Sequence, residues 1–500
     1  MESKVSLNKI AYIYLALPVI IFMLTWIRPV IGVPSAILIV LALVFAMKNA
    51  GAGFKGFPKR AVLIAFVIAF VWCFLAGQGG FWYQSDDHWA RNAIFRDLVY
   101  HPWPVVFEQY DVLLNYYIGY WLVPGLFGKT VFLLTHNAAG AWLVARIALL
   151  LWSTISVTIC FLLLAKVVEC KSRKHFIAAI LFFILFSGLD IIGIYLTNGR
   201  AGLHLEWWAG KFQYSSFSTC LFWVFNQAVP AWVATLILLV DRRIENFAFC
   251  GLCIFISSPI PLIGLFPIYV VIGIQELIKA RGRWMSVVYK VFSLQNIIAC
   301  LVIFPICLVY YMDNAAIKKI NTTPVIEKVV ESSSSAPAPA AEKKPDNFLK
   351  KSLRYCTFFF LEAGIYLLIL FRKHRKSLLF WCLVLELAII PFFRVGHAAD
   401  FAMRASIPPL VVLMTLTFKD FYDSFEKRSY IFTVYCIILA FAIMTPGKEF
   451  YRGVFEIYKN KKFANNTVLS IEKTIRPGRW NNFIAYNYSA SLYCKYLAKK

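Results

Sequence analysis

Long stretches that are apolar on every side dominate this chain. Four of them lie in its first third, at residues 10–27, 29–47, 60–77 and 138–168. Each has about the 20 residues that a helix needs to cross a bilayer, whereas a helix of a soluble protein is apolar on one stripe only. Hydrophobic residues make up 60% of the chain and charged residues 15%, with a mean hydropathy of +0.68. The sequence therefore predicts an all-α integral membrane protein, a polytopic helix bundle of about 13 spans.

Lysine and arginine are distributed unevenly between the segments that join the predicted spans. With a cytoplasmic N-terminus, the inner segments hold 22 of these residues and the compact outer segments hold eight. The inner segments are 1–9, 48–60, 166–174, 241–245, 277–284, 372–376 and 419–428. This bias follows the positive-inside rule, so the formal charge of +25 indicates membrane orientation and no nucleic-acid partner. We expect a multi-pass protein of the cell (inner) membrane whose active face is extracytoplasmic.

The predicted transmembrane domain covers residues 1–445, and residues 446–500 form an outer C-terminal tail. The first large outer loop, residues 78–137, is acidic and carries interfacial helices. Within it, the apolar run at 113–127 is too short for a span and is predicted to be interfacial or re-entrant. Residues 318–347, which include SSSSAPAPAAEKKP, contain few large apolar side chains and are predicted to form a disordered outer loop.

One further run decides which side the later loops occupy. Residues 247–274 are apolar over a length too great for one upright helix, and Ser257-Ser258-Pro259-Ile260-Pro261 interrupts them. Proline breaks the helical hydrogen-bond ladder, so we predict a two-helix hairpin with its turn on the same face as the acidic loop.

The acidic loop contains the segment QSDDHWARNAIFRDLVYHPWP, residues 84–104. Charged carboxylates beside lipid are costly unless they are hydrated, bonded or used in function. Asp86 or Asp87 could accept a proton from an attacking hydroxyl and act as the catalytic base. Arg91 and Arg96 follow at helical spacing, either as substrate ligands or as ion partners of the aspartates.

Two other polar segments, residues 197–218 and 394–406, are predicted to share this face. Their basic side chains can neutralise phosphate, and their aromatic and polar side chains can orient a sugar or anchor the chain at the headgroup level. The candidate substrate-binding residues are Arg91, Arg96, Tyr116, Tyr117, Arg200, Lys211, Gln213, Tyr214, Arg394, His397, Asp400 and Arg404. Among them, Arg404 is the strongest candidate for a phosphate ligand, because it follows Asp400 by four residues at the start of a predicted span.

No motif for a nucleotide, zinc or serine-hydrolase site is present in the sequence. His88, His101, His204 and His397 all fall in predicted outer segments, so a divalent metal ion is possible. Their spacing fits no ligand signature, and neither a metal site nor any other cofactor is predicted.

Four segments of the chain resemble segments of a known superfamily. They are SDDHWARNAIFRDLVYHPWPVVF, NYYIGYWLVPGLFGK, FQYSSFSTCLFWVFNQAVPAWVATLILL and DFAMRASIPPL. On them the chain resembles the GT-C superfamily of membrane glycosyltransferases, in particular a bacterial GT-C-like group, over roughly residues 82–409. The resemblance implies transfer of a sugar from a polyprenyl-phosphate-linked donor to an acceptor on the outer face, with Asp86 or Asp87 as general base. EWWAG at residues 206–210 lacks the aspartate of the oligosaccharyltransferase WWD motif, which argues against peptide glycosylation.

Two alternatives stay open at the level of sequence. A transporter or flippase for polysaccharide or lipid-linked saccharide would explain Arg146, Glu362 and Glu386 within or at the ends of predicted spans, although its functional charges belong near the midplane. An O-antigen polymerase or ligase would share the substrate class and membrane side with a glycosyltransferase.

Overall fold

A computed structural model of the chain describes residues 6–48, 57–197, 204–315, 348–394, 399–461, 468–474 and 482–499. Arg200, His397 and the 318–347 loop lie outside the described residues, so the predictions made for them remain predictions.

The described chain is almost entirely helical. Its first half contains α1 (Leu7–Trp26), α2 (Pro29–Lys48), α3 (Lys59–Leu75), α4 (His88–Tyr100), α5 (Gly119–Thr135), α6 (Ala138–Val167), α7 (Arg173–Leu185), α8 (Asp190–Thr197), α9 (Phe217–Trp223), α10 (Phe225–Asp241) and α11 (Phe247–Cys253). The second half contains α12 (Pro259–Lys279), α13 (Trp284–Val291), α14 (Leu294–Ile298), α15 (Phe304–Met312), α16 (Phe348–Phe359), α17 (Ile365–His374), α18 (Leu378–Ile389), α19 (Asp400–Ala405), α20 (Ile407–Glu426), α21 (Tyr430–Ala442), α22 (Met444–Asn460) and α23 (Ile471–Thr474).

Eight helical segments are long and apolar enough to cross a membrane. They are Leu7–Trp26, Pro29–Lys48, Ala138–Val167, Arg173–Thr197, Pro259–Lys279, Leu294–Met312, Leu349–His374 and Tyr430–Lys459. Three shorter apolar helices accompany them, at Phe225–Asp241, Ile244–Cys253 and Leu378–Phe392. The structure is that of a polytopic all-α membrane protein, while the count of about 13 spans stays a prediction.

The structure agrees with the predicted hairpin, because α11 ends at Cys253 and α12 begins at Pro259, which occupies the first helical turn, where proline needs no hydrogen-bond partner. Helix α5 runs antiparallel to the first half of α6, with the Tyr120 hydroxyl donating to Ser153 Oγ at 2.8 Å. Helix α5 also packs against α1, α4 and α10. The assignment of residues 113–127 as interfacial or re-entrant stays a prediction, and Val112–Leu114 at the start of that run form a strand.

The segments that the charge bias assigns to the inner side contact one another. Asn8 donates to Asp241, Lys166 lies over the Phe57 ring, Lys419 pairs with Glu169, and Lys373 pairs with Asp420. These contacts gather the basic segments on one face of the bundle. Which face is cytoplasmic stays a prediction.

The opposite face carries the acidic loop and the end of the chain. Strands β1 (Val106–Phe107), β2 (Val112–Leu114) and β3 (Ile484–Tyr486) form an antiparallel sheet in that order. Arg28, which follows α1, donates through Nε to the Ala498 carbonyl at 2.9 Å. The described C-terminal residues therefore pack against the acidic loop and hold it to the bundle.

Candidate functional site

The first ion pair of the site lies at the start of α4. Arg91 Nη2 donates to Asp87 Oδ2 at 3.0 Å, one helical turn apart. The Arg91 side chain is only 5% exposed, whereas Asp87 is 52% exposed. The Nε and Nη1 atoms of Arg91 are buried without a hydrogen-bond partner among the described residues. This arginine therefore has donors available to a ligand.

A second ion pair has the same arrangement, with a buried arginine and a more exposed aspartate. Arg404 Nη1 lies 2.7 Å from Asp400 Oδ1 and donates to the Asp400 carbonyl at 3.0 Å. Arg404 is buried, Asp400 is 38% exposed, and Arg404 Nε has no partner in the described part of the chain. The four-residue spacing seen in the sequence thus produces two matched Asp–Arg pairs, on α4 and on α19.

Both pairs lie close enough to Tyr116 for their charges to influence its pKa, and the second pair also influences Tyr117. Burial raises the pKa of Tyr116; Arg91 and Arg404 oppose this effect, and Asp87 and Asp400 add to it. Burial and the adjacent Tyr116 raise the pKa of Tyr117 to about 12, with Arg404 opposing. Both hydroxyls therefore remain protonated near neutral pH and can donate hydrogen bonds beside the two arginines.

The tyrosine pair is held by α15. Tyr310 donates from its hydroxyl to the Leu114 carbonyl at 3.2 Å and receives the Tyr116 backbone N–H at 3.1 Å. Asn115 in turn donates to the Tyr310 carbonyl. These contacts join residues almost 200 positions apart, so the loop carrying Tyr116 has a defined position.

Asp86 differs from Asp87 in its surroundings. It is exposed, forms no ion pair within the described ranges, and lies close enough to Tyr83 for its charge to raise the pKa of that hydroxyl, after the larger effect of burial. The next turn is anchored by Ser85, which donates to the Phe222 carbonyl at 3.1 Å and contacts His88 Nδ1 at 3.1 Å. Asp86 therefore has both carboxylate oxygens available for a proton.

Helix α22 contributes a wall of the site that was not predicted from the sequence. Trp223 Nε1 donates to Glu449 Oε2 at 2.9 Å, and the Arg452 guanidinium lies over the Trp223 ring. His204 packs between Trp207 and Trp223, and burial, followed by the charge of Arg452, lowers its pKa to about 4 despite the nearby Asp87. The spacing of Glu449, Arg452 and Glu456 on one helical face was the available signal.

The remaining candidate residues differ in their contacts and exposure. Gln213 donates to Glu206 Oε2 at 3.0 Å and touches Met403, next to Arg404. Tyr214 is buried with its hydroxyl bonded to the Leu387 carbonyl, so its hydroxyl is used within the fold. Lys211 and Arg394 are exposed. Arg96 pairs with its neighbour Asp97 at 3.0 Å and not with Asp86 or Asp87.

An apolar groove of about 620 Å³ runs between α12 and α18. Ile263, Trp381, Phe393 and Phe401 are among its lining residues. Phe401 directly follows Asp400, so the groove ends beside the second ion pair. Its one charged lining residue is Glu386, whose Oε1 is buried without a partner in the described part of the chain.

The three candidate histidines that the structure describes, His88, His101 and His204, each have a separate set of partners. His88 contacts Ser85, His101 lies 3.7 Å from Asp97, and His204 is enclosed by tryptophans. Among the described residues, no group of three or more His, Cys, Asp or Glu side chains is arranged to hold a metal ion.

The arrangement offers two buried cations with unused donors, exposed carboxylates next to them, and an apolar groove that ends at one of the pairs. Its chemistry suits an amphiphile with an anionic head. Comparison with known proteins adds nothing to this description, since no family model, no curated protein and no solved structure matches the chain.

Proposed function

We propose that this protein is a membrane glycosyltransferase with a GT-C-like fold. It moves a sugar from a polyprenyl-phosphate-linked donor to an acceptor on the extracytoplasmic face. In this proposal the chain crosses the membrane about 13 times from a cytoplasmic N-terminus. The observation that supports it is that Arg91 and Arg404, two buried arginines with unused donors, both lie close enough to Tyr116 to influence its pKa.

The reaction requires little beyond positioning and charge stabilisation. The acceptor oxygen bonds to the anomeric carbon of the sugar, and the bond from that carbon to the phosphate oxygen breaks. The electron pair leaves with the polyprenyl phosphate, whose growing charge Arg91 and Arg404 neutralise. The acceptor proton passes to Asp86 or Asp87. Asp86 is our first choice, because Asp87 Oδ2 is already bonded to Arg91.

The apolar groove supports a lipid-linked substrate. A polyprenyl chain lying between α12 and α18 would reach the bundle surface at Phe393 and Phe401. Its phosphate would then arrive next to Asp400 and Arg404. Burial of a hydrocarbon chain along such a surface is compatible with exchange from the bilayer, because the groove walls are apolar like the lipid.

The proposal is tested by transfer assays in proteoliposomes with polyprenyl-phosphate-linked sugars. Arg404→Ala is expected to lower kcat by about 10²–10³, the cost of losing one donor to a developing anion. Asp86→Asn or Asp87→Asn is expected to lower it by about 10²–10⁴, depending on which is the base. Arg375→Ala, an exposed arginine of the opposite face, is the control and should transfer at the wild-type rate. Full activity in all three site variants would overturn the proposed site.

One observation favours a transporter as the second candidate. Glu386 presents an unpartnered carboxylate oxygen within an apolar helix of the bundle, where charged groups often serve transport. Uptake of a solute into proteoliposomes that is abolished by Glu386→Gln, without any glycosyl transfer, would favour that function. Arg146 and Glu362 do not add to this case, because both are bonded within the fold.

A further inference from the structure

Asn226 and Gln227, at the start of α10, are the most unusual polar side chains in the described structure. Both residues are fully buried. None of the four amide atoms, Nδ2 and Oδ1 of Asn226 and Nε2 and Oε1 of Gln227, has a hydrogen-bond partner among the described residues. A buried amide without a partner destabilises the fold. Two such residues in succession point to a partner from outside the chain.

Their position borders the two ion pairs. Phe225, directly before them, packs on His88 with ring centroids 5.6 Å apart and receives the edges of Tyr120 and Trp121. Trp121 in turn stacks near Tyr116, 6.3 Å between centroids. Arg91 and Arg404 both influence the pKa of Tyr116, so a continuous row of aromatic contacts joins the neighbourhood of the two arginines to the start of α10.

The backbone around the two amides has defined contacts. Val224 interrupts the helix between α9 and α10 with φ −134° and ψ 32°. Ser258 Oγ donates to the Gln227 carbonyl at 2.8 Å, and Ser85 Oγ donates to the Phe222 carbonyl at 3.1 Å. The side-chain amides are thus the unsatisfied groups in a segment whose neighbouring carbonyls are bonded.

The unpaired donor and acceptor atoms of Asn226 and Gln227 indicate which chemical groups these side chains can bind. A primary amide offers one acceptor and two donors, whereas the oxygens of an ionised phosphate diester can only accept. Two free amides therefore do not suit the phosphate, but they match hydroxyl groups, which donate and accept. His88 adds a buried Nε2 without a partner, and burial, followed by Arg91, lowers its pKa to about 3, so it is neutral and also suits a hydroxyl.

We infer that Asn226 and Gln227 bind the hydroxyl groups of the sugar that is transferred and set the specificity for it. This inference rests on the proposed function, because it places the sugar beside the phosphate that Arg91 and Arg404 bind. The aromatic residues next to the amides, Tyr120, Trp121 and Phe225, offer the apolar faces on which sugar rings pack.

Near-isosteric apolar replacements separate a binding role from a structural one. If the amides lack partners in the fold, Asn226→Leu and Gln227→Met remove unsatisfied polar groups and raise the Tm of the ligand-free protein. The control is Asn296→Leu. Asn296 is a buried amide whose Nδ2 donates to the Ile244 and Val291 carbonyls and whose Oδ1 accepts from the Phe249 N–H. That variant should lower the Tm.

The binding measurement uses farnesyl phosphate alone and farnesyl phosphate carrying glucose, galactose, mannose or arabinose, with Tm shifts in detergent as the readout. Wild type should be stabilised by farnesyl phosphate and further by one of the glycosylated forms. Each variant at Asn226 or Gln227 should keep the phosphate effect and bind the glycosylated form about tenfold more weakly. The Asn296 control should keep the sugar increment.

The outcomes distinguish the two proposals. Variants at Asn226 and Gln227 that retain the full sugar increment, or that lower the ligand-free Tm as Asn296→Leu does, overturn the specificity role alone. A wild-type protein that responds to neither farnesyl phosphate nor its glycosylated forms overturns the proposed function, and the inference with it.

Discussion

Two groups of carboxylates in this protein differ in their exposure and in their partners. In the open cluster, Asp87 and Asp400 are exposed, and each pairs with a buried arginine that keeps unused donors. In the closed cluster, Asp190 and Glu362 are buried, and Trp208 Nε1 donates to both, at 3.2 and 3.0 Å. Thr445 also donates to Asp190, at 2.8 Å. Within the described ranges no lysine or arginine pairs with the closed cluster.

This difference distinguishes a cluster that can bind a ligand from one that stabilises the fold. Unused donors on a buried cation favour the arrival of an anion, because the cost of burying the charge has already been met by the fold. In the closed cluster the carboxylates instead accept hydrogen bonds from three parts of the chain: Ser187 just before α8, the Trp208 loop, and Thr445 of α22. Burial of an acidic group is therefore weak evidence of function in this protein. Its hydrogen bonds and ion pairs indicate whether it serves binding or stability.

The largest effect that tests this comparison is on stability. Glu362→Ala leaves the Trp208 N–H with one acceptor fewer and opens a cavity, so we expect a loss of about 2–4 kcal/mol in the free energy of unfolding. Glu362→Gln keeps an oxygen for Trp208 and should lose about 1 kcal/mol. Asp400→Asn, at the exposed member of its pair, keeps an oxygen that can accept from Arg404 and should cost about 1 kcal/mol. Reversible thermal unfolding measures all three. A larger loss for Asp400→Asn than for Glu362→Ala would contradict the assignment.

Much of the local structure could be predicted from the sequence. The apolar stretch at residues 29–47 corresponds to α2 (Pro29–Lys48), and that at 138–168 to α6 (Ala138–Val167). The prolines after Ser258 predicted the α11–α12 turn. The four-residue spacing of aspartate and arginine places both side chains on one helical face. It made an Asp87–Arg91 ion pair one of the stated alternatives, whereas the Asp400–Arg404 spacing served only to select Arg404 as a phosphate ligand. These features depend on residues close in sequence.

What the sequence did not reveal depends on contacts between distant segments. Nothing in residues 484–486 indicates that they add a strand to Val112–Leu114. Arg452 and Glu449 were assigned to a tail, yet they reach Trp223 more than 220 residues earlier. The unsatisfied state of Asn226 and Gln227 is equally invisible, because an amide in a sequence carries no sign of whether a partner will meet it.

A close contact between α12 and α19 provides a test of the open cluster through its geometry. A Cβ at Gly264 would lie 1.8 Å from the Ala405 carbonyl oxygen, next to Arg404. Gly264→Ala must therefore displace α19, and we expect transfer activity to fall by about 10- to 100-fold, since small misplacements of a catalytic group are costly. Gly273→Ala, on the same helix with nothing within 4 Å, is the matched control. Equal activity in the two variants would mean that the position of Arg404 is not important.

The smallest effect concerns Glu206, which is linked to both clusters. Its carboxylate accepts from Gln213, Ser215 and the Ser216 N–H, yet burial and, next, the charge of Asp190 raise its pKa from the ordinary 4.5 to about 8. Between these values the folded protein holds a proton that the unfolded chain has released. The free energy of unfolding must therefore fall as the pH rises through this window and level off above it.

Glu206→Gln should remove that part of the pH dependence, because its amide cannot titrate. Unfolding free energies measured from about pH 5 to about pH 9 would show a flatter profile in the variant. Glu426→Gln, at an exposed position of the opposite face, should retain the wild-type slope. If Glu206→Gln leaves the slope unchanged, Glu206 is ionised in the folded protein. Glu206 would then resemble Asp87 and Asp400 more than the closed cluster, and a cation would be needed to stabilise its charge.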